Sequence, residues 1–535
     1  MLSTRLIGSG IAAALLALFA LPAAAQSFRV QCPKGTPTHS ASSEAALTAA
    51  DNPVNGRIKC QQISGGDGYA TMGDGTQTYL FGFGPLSGLT DMASGQPGTE
   101  VQTLFNVNNT TLGVDPIFVG APVDQTTGAI TTGYNFNGAV GLAPNPSVSG
   151  NPIDGHVDPR LIMDVGVMNA NMPAPLMAID EDDEFFLTLT NVGQVMRPDL
   201  FEQHTVHFHG YPNASAFYDG VPDASVAINI GGSFTYYYLA PDAGTYFWHC
   251  HISPPEHLQM GMVGQLYVRP RQNRVSAIAS TTAVALRASL VTRNSDPLKN
   301  PGANGTTCSD ILCTGQTPAP VTAAAAATGT IPAGTKYAYN DGDGSTRYDV
   351  EYPIQIHGFD PTFHFVGMTF NPESFADMKD KYFLLNGRSY PDTVSPGPMT
   401  TQSSDGTLHA SQPLPTIINI PAGGRALLRI SDLDVTEYQT LASLGVRMHV
   451  VGLNARLLRD MAGNDMTYYS NSITLAGGES IDVILDATGY TAGQKFYLYT
   501  PNLDHLSNDA ENFGGLMTEV NICTTVNPTT KACTI

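Results

Sequence analysis

Basic residues are scarce in this chain, long apolar runs are scarcer, and tryptophan occurs once, at Trp248. With 25 Lys and Arg against 46 Asp and Glu, the formal charge is −21. A surplus of that sign argues against nucleic acid or an anionic membrane as partner and favours solubility. One stretch is apolar for long, Leu6 to Leu21, preceded by Arg5 and followed by Ala23-Ala24-Ala25. A basic start, an apolar core and an A-x-A end read as a secretory signal peptide over 1–25, so the mature protein is expected to be secreted or periplasmic. No other run is long enough to span a bilayer. Charged residues are 13% of the chain, whereas Gly (54) and Pro (37) together number 91, a composition of short strands and many turns.

Histidine is where the chain is rich. Six of its 13 His fall in two short segments, Gln203-His204-Thr205-Val206-His207-Phe208-His209-Gly210 and Gly244 to Met262. The second runs Tyr246-Phe247-Trp248-His249-Cys250-His251, then His257 and Met262. Both read as β-strands, in which alternate side chains face opposite ways. Cys250 therefore points away from His249 and His251, and His204 away from His207 and His209. Matching the strands puts His204, Cys250, His257 and Met262 inside the domain. Two His, a thiolate and a weak axial thioether are the ligand set of a type 1 copper site. His207, His209, His249 and His251 form a second, outer imidazole cluster. Met260 rivals Met262, but spacing from His257 favours Met262.

HxxHxHG, then HCH, then H-x4-M resembles the cupredoxin domains of multicopper oxidases and of copper nitrite reductases. Asp219-Gly220-Val221-Pro222, Gly232–Tyr236 and Gly244-Thr245-Tyr246 match further landmarks of that family. The resemblance is close over 160–270 and looser over 345–522, and the loop from Cys250 to His257 is two residues longer than in typical laccases. It implies an all-β fold of two cupredoxin-like Greek-key β-sandwiches, a copper cofactor and an oxidoreductase activity. In the oxidases the outer cluster is a type 2/type 3 trinuclear centre that reduces O2 with eight His. This chain offers four, and His357, His364, His409, His449 and His505 stand alone, without H-x-H pairs. In the nitrite reductases the catalytic copper takes two His from the first domain, which His209 and His249 match. His449 sits where that family keeps a catalytic His. Its third-ligand position falls at Pro501, and its proton-delivering Asp is replaced by His207. The resemblance also implies a homotrimer.

The expected organisation is a signal peptide 1–25, an N-terminal extension 26–68, a copper-binding domain 69–272 with an insertion 88–160, a linker 273–340, a second domain 341–523 and a tail 524–535. Tyr69–Gly84 reads as a hairpin around Gly73-Asp74-Gly75. Strands are expected at Leu161–Val167, Phe185–Asn191, Ala227–Ile230, Phe234–Leu239 and Gln265–Val268. The acidic run Asp180–Glu184 reads as a solvated turn, and Asn340–Ser345 as a turn rather than a calcium loop. Gly477–Leu485 parallels Gly231–Leu239, and Phe496–Pro501 takes the place of the HCH strand. The second domain is thus a weak repeat without a type 1 site. Seven Cys leave six besides Cys250, and local pairs are expected: Cys32–Cys60, Cys308–Cys313 and Cys523–Cys533.

Three functions fit. The first is an oxidase passing single electrons from a phenol or reduced metal ion, through the type 1 copper, to an outer cluster that reduces O2. The second is a nitrite-reductase-like enzyme with type 1 plus type 2 copper, fed by a small redox carrier. The third is a copper-binding or electron-transfer protein without catalysis.

Overall fold

The computed structural model describes residues 28–47, 56–107, 136–145, 147–210, 215–240, 242–274, 336–341, 344–369, 374–402, 408–460 and 464–535. The leader, most of the linker, the core of the 88–160 insertion and the Cys308–Cys313 pair lie outside them. The described chain is mostly strand, and its two halves repeat one topology.

In the first half, β1 (Ile58–Thr71), β2 (Gln77–Pro85), β4 (Glu184–Gly193) and β6 (Ser233–Leu239) form one sheet in the order β2-β1-β4-β6. The facing sheet is ordered β3 (Met177–Asp180), β8 (Val263–Arg269), β7 (Gly244–His249), β5 (His207–Phe208). The β1–β4 and β3–β8 pairs are parallel, and β7 pairs antiparallel with both of its neighbours. Leu187, Leu189, Phe208, Tyr236, Trp248 and Leu266 fill the space between the sheets. This is the alternation of a two-sheet sandwich, apolar side chains turned inward from both sheets.

The second half lays out the same plan. Here β9 (Val350–Phe359), β10 (Tyr382–Leu385), β12 (Arg425–Asp432) and β15 (Ser480–Asp486) correspond to β1, β2, β4 and β6, with β14 (Met448–Leu453) added beyond β15. The strands β11 (Ile418–Pro421), β13 (Gln439–Leu444), β16 (Lys495–Tyr499) and β17 (Met517–Cys523) correspond to β3, β5, β7 and β8. Again β9–β12 and β11–β17 are parallel. The sandwiches meet through buried polar contacts. Thr245 Oγ1 donates to Asp482 at 2.6 Å, and Gln265 donates to the Arg429 carbonyl at 2.9 Å. Arg269 and Arg429 share the Glu351 carboxylate at 2.7 and 3.2 Å.

The Tyr69–Gly84 hairpin is present, with Tyr69 opposite Tyr79, but β1 starts earlier, at Ile58, inside the stretch read as extension. Disulfides join Cys32 to Cys60 and Cys523 to Cys533. Three expectations are corrected. Residues 161–167 are not a strand: Pro159–Gly166 is a helix, α1, because Asp158 caps the Arg160 N–H and Pro159 occupies the first turn. The acidic run is not solvated either. Glu181, Asp182, Asp183 and Glu184 are buried, and Arg271 and Arg274, both 2.7 Å from Asp182, neutralise it. Of Ala227–Ile230, a single bridge remains, Ile228 to His204.

Candidate metal centres

β5 and β7 pair with His207 opposite His249, so the pleat divides the histidines between two sides. On the inner side the ligand atoms of His204, Cys250 and His257 lie within 4.8 Å of one another, and all three residues are buried. His257 Nδ1 is 3.3 Å from the Cys250 sulfur, which also accepts the Thr205 backbone N–H at 3.4 Å. His204 is 0% exposed, yet neither of its ring nitrogens has a partner. An orphaned buried polar group costs about 1–3 kcal/mol, and a bound cation is what would offset it. Next to a buried thiol, this donor set fits copper.

The loop from Cys250 to Met262 is tied shut. Ser253 turns the chain in the left-handed region (φ 37°), Pro254 opens the helix α2 (Pro254–Met260), and Gly261 (φ 118°) ends it. Cys250 N–H donates to the Met262 carbonyl at 3.1 Å, and Met262 N–H to the His257 carbonyl at 2.8 Å. Met260 and Met262 are both wholly buried in the same core. On β1, Gly65 leaves room for His204: a Cβ there would stand 2.7 Å from the imidazole Cδ2.

On the outer side His207, His209 and His249 bring their ligand atoms within 4.8 Å, and His251 joins them with its ring 5.1 Å from that of His207. Three of these rings are oriented from behind by a backbone carbonyl. Nδ1 of His207 donates to Asp219 at 2.7 Å, that of His209 to Gly478 at 3.2 Å, and that of His249 to Cys250 at 2.6 Å. With Nδ1 so engaged, Nε2 is the free ligand atom, and the His209 and His249 Nε2 atoms stand 3.0 Å apart. Burial holds His249 down to about 3, lowers His209, and drives His204 well below the usual imidazole range. Neutral imidazoles are what a metal requires. For His257 burial also disfavours charge, but charge and hydrogen bonding from Cys250, then Glu202, outweigh it and push the ring up to about 10.

The second sandwich holds the shell of the inner pocket. Ala442 opposes Tyr499 where His207 opposes His249. In that register Gln439 stands for His204, Thr500 for Cys250 and Pro501 for His251. Thr500 N–H donates to the Leu516 carbonyl and Leu516 N–H to the His505 carbonyl, both at 2.9 Å, so Leu516 stands for Met262 and His505 for His257. His505 Nδ1 faces Gln439 Oε1 at 2.9 Å instead of a sulfur. An acid flanks each imidazole, Glu202 at 3.7 Å from His257 and Glu437 at 2.8 Å from His505. The sequence reading passed over Glu202, Glu437 and Gln439. The match of Glu437-Tyr438-Gln439-Thr440 to Glu202-Gln203-His204-Thr205 was the available signal.

Among the described residues no second-domain His joins either cluster. His449, on β14, stacks on Tyr469 with ring centres 4.4 Å apart and contacts Thr467 Oγ1 at 2.9 Å. His357 and His364 are buried against α2.

Residues 155–273 match the multicopper oxidase family model. Laccase abr2 of Aspergillus fumigatus is 33% identical over 111 residues, 20% of this chain and 17% of that protein. L-ascorbate oxidase of Cucumis sativus is 31% identical over 109 residues, covering 20% and 17%. A copper-containing nitrite reductase of Rhizobium meliloti is 33% identical over 109 residues, 19% of this chain and 26% of the relative. The chain thus spans about a quarter or less of these relatives. Among solved structures, multicopper oxidase mgLAC aligns over 89% of this chain and 93% of its own, at 14% identity and a TM-score of 0.47.

Proposed function

We propose, from the match of residues 155–273 to the multicopper oxidase model, that the chain is an exported copper-dependent oxidoreductase of the oxidase type. Single electrons would enter from a phenolic or reduced metal-ion donor at the pocket where His204, Cys250 and His257, together with Met262, would hold copper. They would leave at the outer cluster of His207, His209, His249 and His251, where O2 is reduced to water. Copper in the two clusters would supply the one-electron chemistry. The observation that carries the reading is the back-to-back arrangement itself: Cys250 is bonded through its own backbone to His249 and His251, so one covalent path joins the two pockets.

The residues divide the work. Cys250 and His257 bind on the inner side, and Glu202, with its side chain 26% exposed, reaches from solvent to 3.7 Å from His257. An acid there suits a phenol, whose proton it would accept, or a metal cation. Carbonyls of Asp219, Gly478 and Cys250 orient the outer rings. The burial of Trp248 and Phe247 keeps the strand between the pockets dry.

A nitrite-reductase-like reading has its own support, since three outer imidazoles, not four, converge within 4.8 Å. In it a single type 2 copper would sit on His209 and His249, with His207 beside them in the place of the proton-delivering Asp and His449 as the catalytic His, in a homotrimer. Copper content separates the readings: roughly four per chain for the oxidase, two for the reductase, one for a carrier without catalysis. Oxygen uptake with a phenolic donor, set against nitrite-dependent oxidation of a reduced dye, decides between the enzymes. Oxygen uptake that depends on His207 supports the oxidase, and nitrite turnover without it overturns the oxidase.

A further inference from the structure

Two second-domain histidines that join neither cluster, His357 and His364, both end on the helix that carries His257. From β9, His357 donates Nε2–H to the Leu258 carbonyl at 3.1 Å. From the helix α3 (Pro361–Met368), His364 places Nε2 2.9 Å from the Gln259 carbonyl, while its Nδ1 stands 2.6 Å from the Tyr79 carbonyl on β2. The Gln259 side chain completes the grip: its amide donates to Asp380 at 2.9 Å and its oxygen accepts the Asp360 backbone N–H at 3.1 Å. His357, His364, Gln259, Asp360 and Asp380 are all buried.

These are late carbonyls of a seven-residue helix, where internal donors run out. The Leu258 carbonyl also accepts the Gly261 N–H at 3.1 Å, whereas the N–H groups that could reach the Gln259 carbonyl go elsewhere, Met262 to His257 and Val263 to Gly261, both at 2.8 Å, and the other domain supplies His364. α2 is also the segment on which the inner pocket depends. His257 lies on it, Met262 follows it by two residues, and the Met262 N–H to His257 carbonyl bond couples them. A sub-ångström slide of α2 against β7 would therefore move His257 relative to Cys250. Interdomain adhesion alone needs no imidazole aimed at consecutive carbonyls beside a ligand.

We propose that His357 and His364 are positioning residues through which the second domain, lacking a copper pocket of its own, sets the geometry of the first domain's. The proposal rests on the reading of His204, Cys250 and His257 as a type 1 copper site. The test uses the full copper-loaded chain and three variants. His364→Phe keeps the stacking on Phe359 (3.6 Å between centres) but loses the polar contacts. His364→Gln keeps a donor, and Gln259→Met frees the helix from Asp360 and Asp380. We expect the thiolate-to-copper absorption band and the copper hyperfine splitting to shift in His364→Phe and Gln259→Met. Affinity for that copper, measured by chelator competition, should fall about 10–100-fold, the usual cost of losing an outer support. His364→Gln should recover most of it. Copper at the outer cluster should be unchanged. A variant that keeps the wild-type band and affinity, even with a lowered melting temperature, overturns the proposal and leaves these histidines as interdomain packing. Should His364→Phe not fold, Gln259→Met decides by the same readout. A wild-type protein without any thiolate band overturns the copper reading itself.

Discussion

His257 and His505 occupy one position in two copies of a loop: each gives its carbonyl to the N–H of a buried residue, Met262 at 2.8 Å and Leu516 at 2.9 Å. The first imidazole faces a sulfur and the second an amide oxygen. The second sandwich thus repeats the shell of the inner pocket with Gln439, Thr500 and Leu516 in place of His204, Cys250 and Met262. Restoring the first two tests the equivalence. Thr500→Cys combined with Gln439→His should add one thiolate-to-copper absorption band and raise the copper content by about one per chain, since with His505 it rebuilds the trigonal His2Cys set. Unchanged copper content in the folded double variant would sink the register drawn from Ala442 and Tyr499.

Gly65 gives the inner pocket its room. A Cβ at that position would stand 2.7 Å from His204, whose ring cannot retreat in a fully buried site. Gly65→Ala should leave the far-ultraviolet circular dichroism intact while weakening copper binding at least tenfold, about 1.4 kcal/mol. Chelator competition measures this, and wild-type affinity would mean that His204 does not hold the metal.

Glu100 predicts the pH dependence of stability. It is 2% exposed, and burial, then Asp91, push its carboxyl from 4.5 up to about 8. Between those values the folded chain keeps a proton that the unfolded chain has released. Stability contributed by this group is therefore present below pH 4.5 and lost as pH rises toward 8. Glu100→Gln should melt at a higher temperature than wild type at pH 8 and at nearly the same temperature at pH 4.5. Parallel melting curves across that range would contradict it.

Much of the site was legible because a strand's period is two: the order of His and Cys along two short segments already assigns each to a side. The repeat was legible for the same reason in Gly477–Leu485, but Glu437-Tyr438-Gln439 was missed because its imidazoles are gone. The helix at Pro159–Gly166 was misread because a short apolar run carries no period that separates strand from buried helix, although Asp158 and Pro159 were signals of its start. The burial of Glu181 and Asp182 depends on Arg271 and Arg274, some ninety residues on, and the roles of His357 and His364 depend on carbonyls in the other sandwich. Nothing local encodes such partners.

One covalent strand end separates a sulfur-bearing pocket from an imidazole one, and paired variants test this separation most directly. Copper analysis with visible absorption and paramagnetic resonance on the full chain should show the thiolate band lost in Cys250→Ser while outer copper remains. In His207→Ala the band should persist while outer copper and turnover fall by at least tenfold, about 1.4 kcal/mol. A His207→Ala protein with full copper content and full activity, or a Cys250→Ser protein that keeps the band, would contradict the account.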